Sequence, residues 1–321
     1  MTLAELYRRA VEVGMDQDPR GRAEAEADLA AAAKEHEGLS EADREFFDRE
    51  RLENPYADTR ILHGDPATEL RAVMVAVDVE GDEILLADRL RERGRPVDAV
   101  VAHHPRGHAL AQLPEVMRIQ AGIHAGLGVP VGQAEGILGP RLREVSERIQ
   151  PVNHQRTVDA ARLLDVPLVC VHTPADNCVA TFLTRLFERE APRTLGDVLD
   201  LLHAIPEYQA ARRDQAGPVI VAGDKKARAG KIFVDMTGGT EGAKEMYQKF
   251  AQATEVSTIV GMHLSKEHVE EAKKHHLNVV LAGHIASDNL GLNLLLDAAL
   301  EPGIQVLEAG GFRRVDRRGG G

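Results

Sequence analysis

Four apolar runs in this chain end in histidine. VDAVVA leads to His103 and His104, VPLVCV to His172, VSTIVGM to His263 and LNVVLAG to His284. Two of these histidines have an aspartate four residues later, in HTPADN at 172–177 and HIASDN at 284–289, so His172 is paired with Asp176 and His284 with Asp288. Positions i and i+4 share a helix face, so such a pair can hold one cation. Imidazole and carboxylate without thiolate suit Zn, Mn or Fe(II). A His-His pair plus two His-x-x-x-Asp units supply more ligands than one tetrahedral ion takes. That surplus points to two divalent ions roughly 3.5–4 Å apart with a carboxylate or hydroxide between them, a bridge that falls most naturally to Asp176.

Each motif also has a plainer account. An aspartate at a strand–helix junction is usually an N-cap, and both six-residue copies could be ordinary β–α junctions in a fold with a duplicated unit. A His-His pair in a loop is commonly solvated. The histidines could also serve a small anionic ligand without metal. A cap, however, needs no histidine four residues upstream, and three strand-end sites in one chain favour metal. His263 reads as a neighbour of the ligands or as pocket lining. His154 could reach the site from a helix start or simply cap it, and His108 is a loop residue near the pair. His268, His275 and His276 lie on a charged helix, the last two complementing its C-terminal dipole. The run DMTGGTEGAKE follows a strand and opens a helix, so its N–H groups could cradle an anion. It lacks P-loop spacing, and a tight turn is the first reading. Lys225, Lys226 and Arg228 read as a solvated loop, and Cys178 has no clear histidine partner.

Placing these side chains together requires parallel strands whose carboxyl ends converge. Apolar strand-like runs alternate with helix-like segments from about residue 62 onward, which predicts an α/β fold: two α/β halves with mixed, largely parallel sheets and the site at strand carboxyl ends. An N-terminal helical segment at 1–60 opens with a Thr2/Glu5 capping box, ends a long helix at Gly38 and is expected to pack on the surface of the rest. The first half then spans 61–212 and carries the His103-His104 and His172/Asp176 motifs. The second spans 213–316 and carries His284/Asp288. RVDRRGGG reads as disordered, with a flexible tail at 317–321.

Composition narrows the function. The 321 residues carry a net charge of −12, 3% aromatics and no Trp, which argues against nucleic acid or an anionic membrane as partner. Two cysteines are too few for a disulfide framework or a Cys-based zinc site. No signal peptide is visible, and no apolar run nears the roughly 18 residues of a membrane span. A soluble, cytoplasmic protein is expected.

VVAHHP, VCVHTPAD and VLAGHIASDN, in that order, resemble the Nif-three-like family (the NGG-one-interacting-factor-three superfamily), and AVMVAVDV resembles that family's early strand. The resemblance covers about 70–316 and leaves the helical N-terminus largely outside. It implies a dinuclear metal centre in an α/β cleft, often within a ring-shaped homo-oligomer. Carried over by motif, the ligands would be His103, His104, Asp176, His284 and Asp288, with His172 close by. The family commonly has Glu where this chain has Asp288, one methylene shorter, so this ligand departs from the pattern. The expected function is metal-dependent hydrolysis of a small phosphorylated or nucleotide-like substrate, with His172 or His263 moving protons. The alternative is a non-catalytic metal-binding scaffold or regulatory protein.

Overall fold

The computed structural model describes residues 1–319. Fifteen α-helices and nine strands follow one another along these residues. The N-terminal segment forms α1 (Leu3–Asp16), α2 (Arg22–Gly38) and α3 (Glu41–Arg44). The first sheet takes β1 (Thr59–His63), β2 (Ala72–Ala76), β3 (Ala99–Ala102) and β4 (Leu168–Val171). Between these strands lie α4 (Gly81–Glu92), α5 (Gly107–Ala111), α6 (Leu113–Val116), α7 (Ile119–Gly126), α8 (Val131–Ile149) and α9 (Arg156–Leu163). After β4 come α10 (Thr173–Glu190), α11 (Leu195–His203) and α12 (Pro206–Arg213). The second sheet takes β5 (Val219–Ala222), β6 (Lys231–Asp235), β7 (Val256–Gly261) and β8 (Asn278–Leu281), with α13 (Met246–Ala253) and α14 (Lys266–Lys274) between them. The long α15 (His284–Ala299) and β9 (Gln305–Ala309) close the chain.

The two sheets are built alike. The first runs β1-β4-β3-β2-β9 and the second β5-β8-β7-β6. In each, one antiparallel edge strand, β1 or β5, pairs with the strand before a long helix, and the rest are parallel. β4 in one sheet therefore corresponds to β8 in the other, and β3 to β7. The two six-residue motifs occupy equivalent places in a duplicated unit. β9 breaks the symmetry by returning from the second half to pair with β2.

The helices α10 and α15 form the layer between the sheets. Ala175 and Cys178 of α10 join Leu292, Leu295 and Leu296 of α15 in a core against the first sheet. Val179, Leu183 and Leu290 face the second. α15 is apolar along most of its length, as a helix buried on both sides must be, whereas α10 is buried through its first half and turns charged and exposed toward Glu190. The pair cross at Gly291, where an added Cβ would press into the Ala175 carbonyl and lie 3.0 Å from its carbon. Asp176 follows Ala175 directly and Asp288 lies one turn before Gly291, so the crossing bears on the spacing of the two aspartates.

Some elements differ from the sequence reading. β1 was not expected, because TRILH is short and polar at its end; its partner β4 supplies its pairing. Within the segment read as helical to residue 60, α2 is followed by only α3 and one 3-10 turn at Arg49–Leu52. α1 is not a surface appendage: Leu3, Leu6 and Ala10 are buried in the first-sheet core. Its Thr2/Glu5 capping box is formed. At the other end, Arg314 is bonded to Asp297, and Arg317 Nη2 donates to Glu207 Oε2 at 2.7 Å. These bonds fasten the start of the stretch read as disordered, while residues 320–321 lie outside the described residues. Among the described residues, no helix is long and apolar enough to cross a membrane.

Candidate metal centre

The carboxyl ends of β3, β4 and β8 deliver the expected residues to one place. β3 is buried throughout and runs directly into His103 and His104. α10 begins at Thr173 with His172 as its N-cap residue, and α15 begins at His284 after Gly283 at φ 106°. Both helices start earlier than their aspartates, so Asp176 and Asp288 are not N-caps. Asp176 sits in the first turn of α10 and Asp288 just past the first turn of α15, and both carboxylates reach His103.

His103 Nε2 lies 3.4 Å from Asp176 Oδ1 and 3.5 Å from Asp288 Oδ1. His104 Nε2 lies 3.4 Å from Asp288 Oδ2, and His284 Nε2 lies 3.5 Å from that same oxygen. His172 Nε2 is 3.7 Å from Asp176 Oδ2. Three donor sets emerge whose ligand atoms all lie within 4.8 Å of one another: His104/His284/Asp288, His103/Asp176/Asp288 and His103/His104/His172. Asp288 belongs to two of them, one through each oxygen. Asp176 belongs to one of them.

The burial of these atoms matters. Asp176 and Asp288 are 4% and 1% exposed and His103 is 1% exposed. Among the described residues, none offers a hydrogen-bond partner to His103 Nε2, Asp176 Oδ1 or either oxygen of Asp288. Buried polar atoms are normally satisfied, and an orphaned one costs about 1–3 kcal/mol, more when charged. Four such atoms converging from three strand ends fit a cation-binding site. Without metal, the groups compensate electrostatically. Burial opposes protonation of His103, but Asp288 and Asp176 outweigh it and lift the imidazole to about 10. Burial likewise opposes ionisation of Asp288, yet the neighbouring histidines, His103 first, hold it well below the usual carboxylate range. His284 is pushed down, chiefly by burial.

The histidines are braced from behind. His104 Nδ1 donates to Asp78 Oδ1 at 2.8 Å, and His172 Nδ1 donates to Asp58 Oδ2 at 2.7 Å. Thr173 Oγ1 donates to the same Asp58 oxygen, and His103 Nδ1 points at the Val171 carbonyl, 3.3 Å away. Acceptor-only partners place the proton on Nδ1 and leave Nε2 free toward the centre, the arrangement metal-binding histidines use. Asp58 and Asp78 were missed in the sequence. Asp78 had a readable signal, since it follows the strand AVMVA of β2; Asp58 lay before a strand that was not foreseen.

His263 follows β7, the counterpart of β3, and its ring centroid is 4.5 Å from that of His284. It stands at the rim, outside all three donor sets. Its Nδ1 lies 3.5 Å from Glu241 Oε1, which raises its affinity for a proton. The TGG turn lies opposite. Gly238 and Gly239 have φ of 100° and 83°, Thr237 Oγ1 donates to Asn177 Oδ1, and Gln120 Nε2 donates to the carbonyls of Gly238 and Thr240. This turn does not open a helix directly; α13 starts only at Met246. Thr237, Gly239 and Thr240 line one pocket with Asp176, His263 and His284. Half-buried Asp235 lies in that pocket too, its carboxyl pushed up to about 6 by desolvation.

The other histidines stay away. His108 is exposed beside Asp48, His154 Nε2 points at the Ile149 carbonyl, and His268 is bonded to Ser265 and Gly242. His275 pairs with Glu271, and Cys178 is a buried core residue of α10.

A NIF3 superfamily protein from Sphaerobacter thermophilus superposes with a TM-score of 0.69 at 27% identity, over 80% of this chain and 92% of that one. The chain is NIF3-like. Reduced HcgD from Methanocaldococcus jannaschii gives a TM-score of 0.46 at 15% identity over 77% of this chain and 87% of its own. A protein from Thermus thermophilus gives 0.43 at 16% over 78% and 86%. No sequence-family model and no curated protein matches the chain. The NIF3-like fold and the His/Asp cluster thus meet at the strand ends, as the three motifs of the sequence anticipated.

Proposed function

We propose that the chain binds two divalent ions and hydrolyses a small phosphorylated substrate. The observation that carries this reading is the set of four buried, unpartnered donor atoms on His103, Asp176 and Asp288. His104, His284 and Asp288 would hold one ion, and His103, Asp176 and Asp288 the other, with His172 adjoining. Ions held there would supply Lewis-acid polarisation of a phosphoryl oxygen and of an attacking water. His172, oriented by Asp58 and Thr173, is placed to accept a proton at Nε2. His263, oriented by Glu241, is placed to donate one at the rim. Thr237, Gly239 and Thr240 line the same pocket and would contact an anionic substrate. His284 is 40% exposed, and an open wall beside the ligands favours a substrate site over a closed structural one.

Elemental mass spectrometry on untagged protein tests the first part. About two ions per chain are expected, and Asp176→Ala and His284→Ala should each lose metal while staying folded. Protein that is metal-free and takes up neither Zn, Mn nor Fe(II) would end the reading. Metal-loaded protein inert toward a panel of phosphate esters and nucleotides would leave the scaffold role in its place.

A further inference from the structure

His284 has two sides. One faces Asp288; the other forms the wall of a separate cavity of about 440 Å³ between α12, the first turn of α15 and the segment after β9. This volume falls within the range of small-molecule sites, about 300–1,000 Å³. Its surface is mostly apolar, with Pro206, Ala210, Ala211, Ile285 and Val315 on the walls. Ile285 is 41% exposed although it sits between two donor residues of the centre. A large apolar side chain left open there serves no core.

The polar groups of this cavity are largely spent. Asn289 Nδ2 donates to the Ile285 and Gly311 carbonyls, and its Oδ1 accepts from Arg313 N–H. Glu207 is taken by Asn293 and Arg317. Asp214, His284 and the Arg313 guanidinium, whose Nη1 donates to the Phe312 carbonyl, complete the polar side chains of the lining. A sugar or nucleobase here would strand its hydroxyl or amide groups, at about 1–3 kcal/mol each. An aromatic or branched hydrocarbon group would lose nothing.

We propose that this cavity is a substrate subsite for an apolar group, joined to the metal centre through His284. The proposal rests on the hydrolase reading and narrows it. The favoured substrate is a phosphate ester of an aryl or branched alkyl alcohol rather than a nucleotide, with its phosphate on the ion side of His284 and its hydrocarbon on the Ile285 side.

Calorimetry on the metal-loaded full chain tests this with three probes: inorganic phosphate, 1-naphthyl phosphate and neutral 2-naphthol. Naphthyl phosphate should bind at least about tenfold tighter than inorganic phosphate, equivalent to about 1.4 kcal/mol. Ala210→Trp, which fills the cavity from α12, should erase that advantage while phosphate affinity and metal content stay unchanged. Ile285→Asn, which makes the wall polar without enlarging it, should cut the advantage several-fold and serves if the tryptophan variant fails to fold. Equal binding of the two phosphates, or an advantage that survives both variants, overturns the subsite. If neither phosphate binds, the hydrolase reading fails instead, and the cavity is judged by 2-naphthol alone. Naphthol binding that disappears in Ala210→Trp then supports an apolar-ligand site, and no naphthol binding overturns it.

Discussion

Replacing Gly291 by alanine should weaken metal binding without touching a ligand. The new Cβ would press into the Ala175 carbonyl oxygen and sit 3.0 Å from its carbon. Ordinary contact begins near 3.4 Å, so α10 and α15 must part by at least 0.4 Å, the difference between 3.4 and 3.0. Asp176 follows Ala175, and Asp288 lies one turn before Gly291, so both carboxylates move with their helices. Metal sites tolerate deviations of about 0.2 Å in ligand distance, and a separation twice that should lower affinity by about tenfold or more. Two effects on stability oppose each other. Alanine improves helix propensity over glycine by about 1 kcal/mol, whereas overpacking a dense helix contact costs about 1–3 kcal/mol. The clash meets backbone rather than a mobile side chain, so it should win, with a net loss of up to about 2 kcal/mol in metal-free protein. Urea denaturation of the metal-free protein and competition with a chelator read the two quantities separately. A variant that is more stable than the parent and binds metal equally well would refute the idea that this crossing sets the spacing of the aspartates.

Three further outcomes follow from the same geometry. Asp78→Ala frees the His104 ring and removes the acceptor that fixes its proton on Nδ1; metal affinity should drop about 10–100-fold, while an unchanged affinity would mean His104 is not a ligand. In metal-free protein His103 is held protonated, against the effect of burial, by Asp288 and Asp176, with a value of about 10 against an ordinary 6.5. Because the folded value is the higher one, this contribution to stability is complete below pH 6.5 and disappears as pH rises through about 10; denaturation midpoints of metal-free protein that do not fall across this window would contradict it. Metal must displace the same proton, so binding at about pH 8 should release on the order of one proton per chain from His103. Calorimetry in buffers of differing ionisation heat measures this directly, and zero release would remove His103 from the ligand set.

The α/β class, the strand-end histidines and the i, i+4 His–Asp pairs were legible because they depend on local sequence. An apolar run four to six residues long makes a strand, and a polar residue after it falls at the strand's end whatever the rest of the fold does. The three motifs also sufficed to mark the NIF3-like resemblance. Asp58 was invisible for the opposite reason. It precedes a short strand that exists through its pairing with β4, and its role comes only from a contact with His172, 114 positions away in the chain.

Tertiary structure alone decided which residues share an oxygen. Sequence spacing paired Asp176 with His172 and Asp288 with His284 and could not say which oxygens come together. Packing of α10 against α15 through Gly291 accompanies an arrangement in which Asp288 lies between His103, His104 and His284, three residues from one strand end and one helix start. It also shows that the two copies of the motif belong to a repeated unit and to one centre at once, since β4 and β8 hold equivalent places in sheets that face each other across the same helix pair. Local sequence determines what stands at the end of a strand. How far apart two strand ends lie depends on the helices packed between them, and that distance is set by side-chain volume at contacts no short stretch of chain contains.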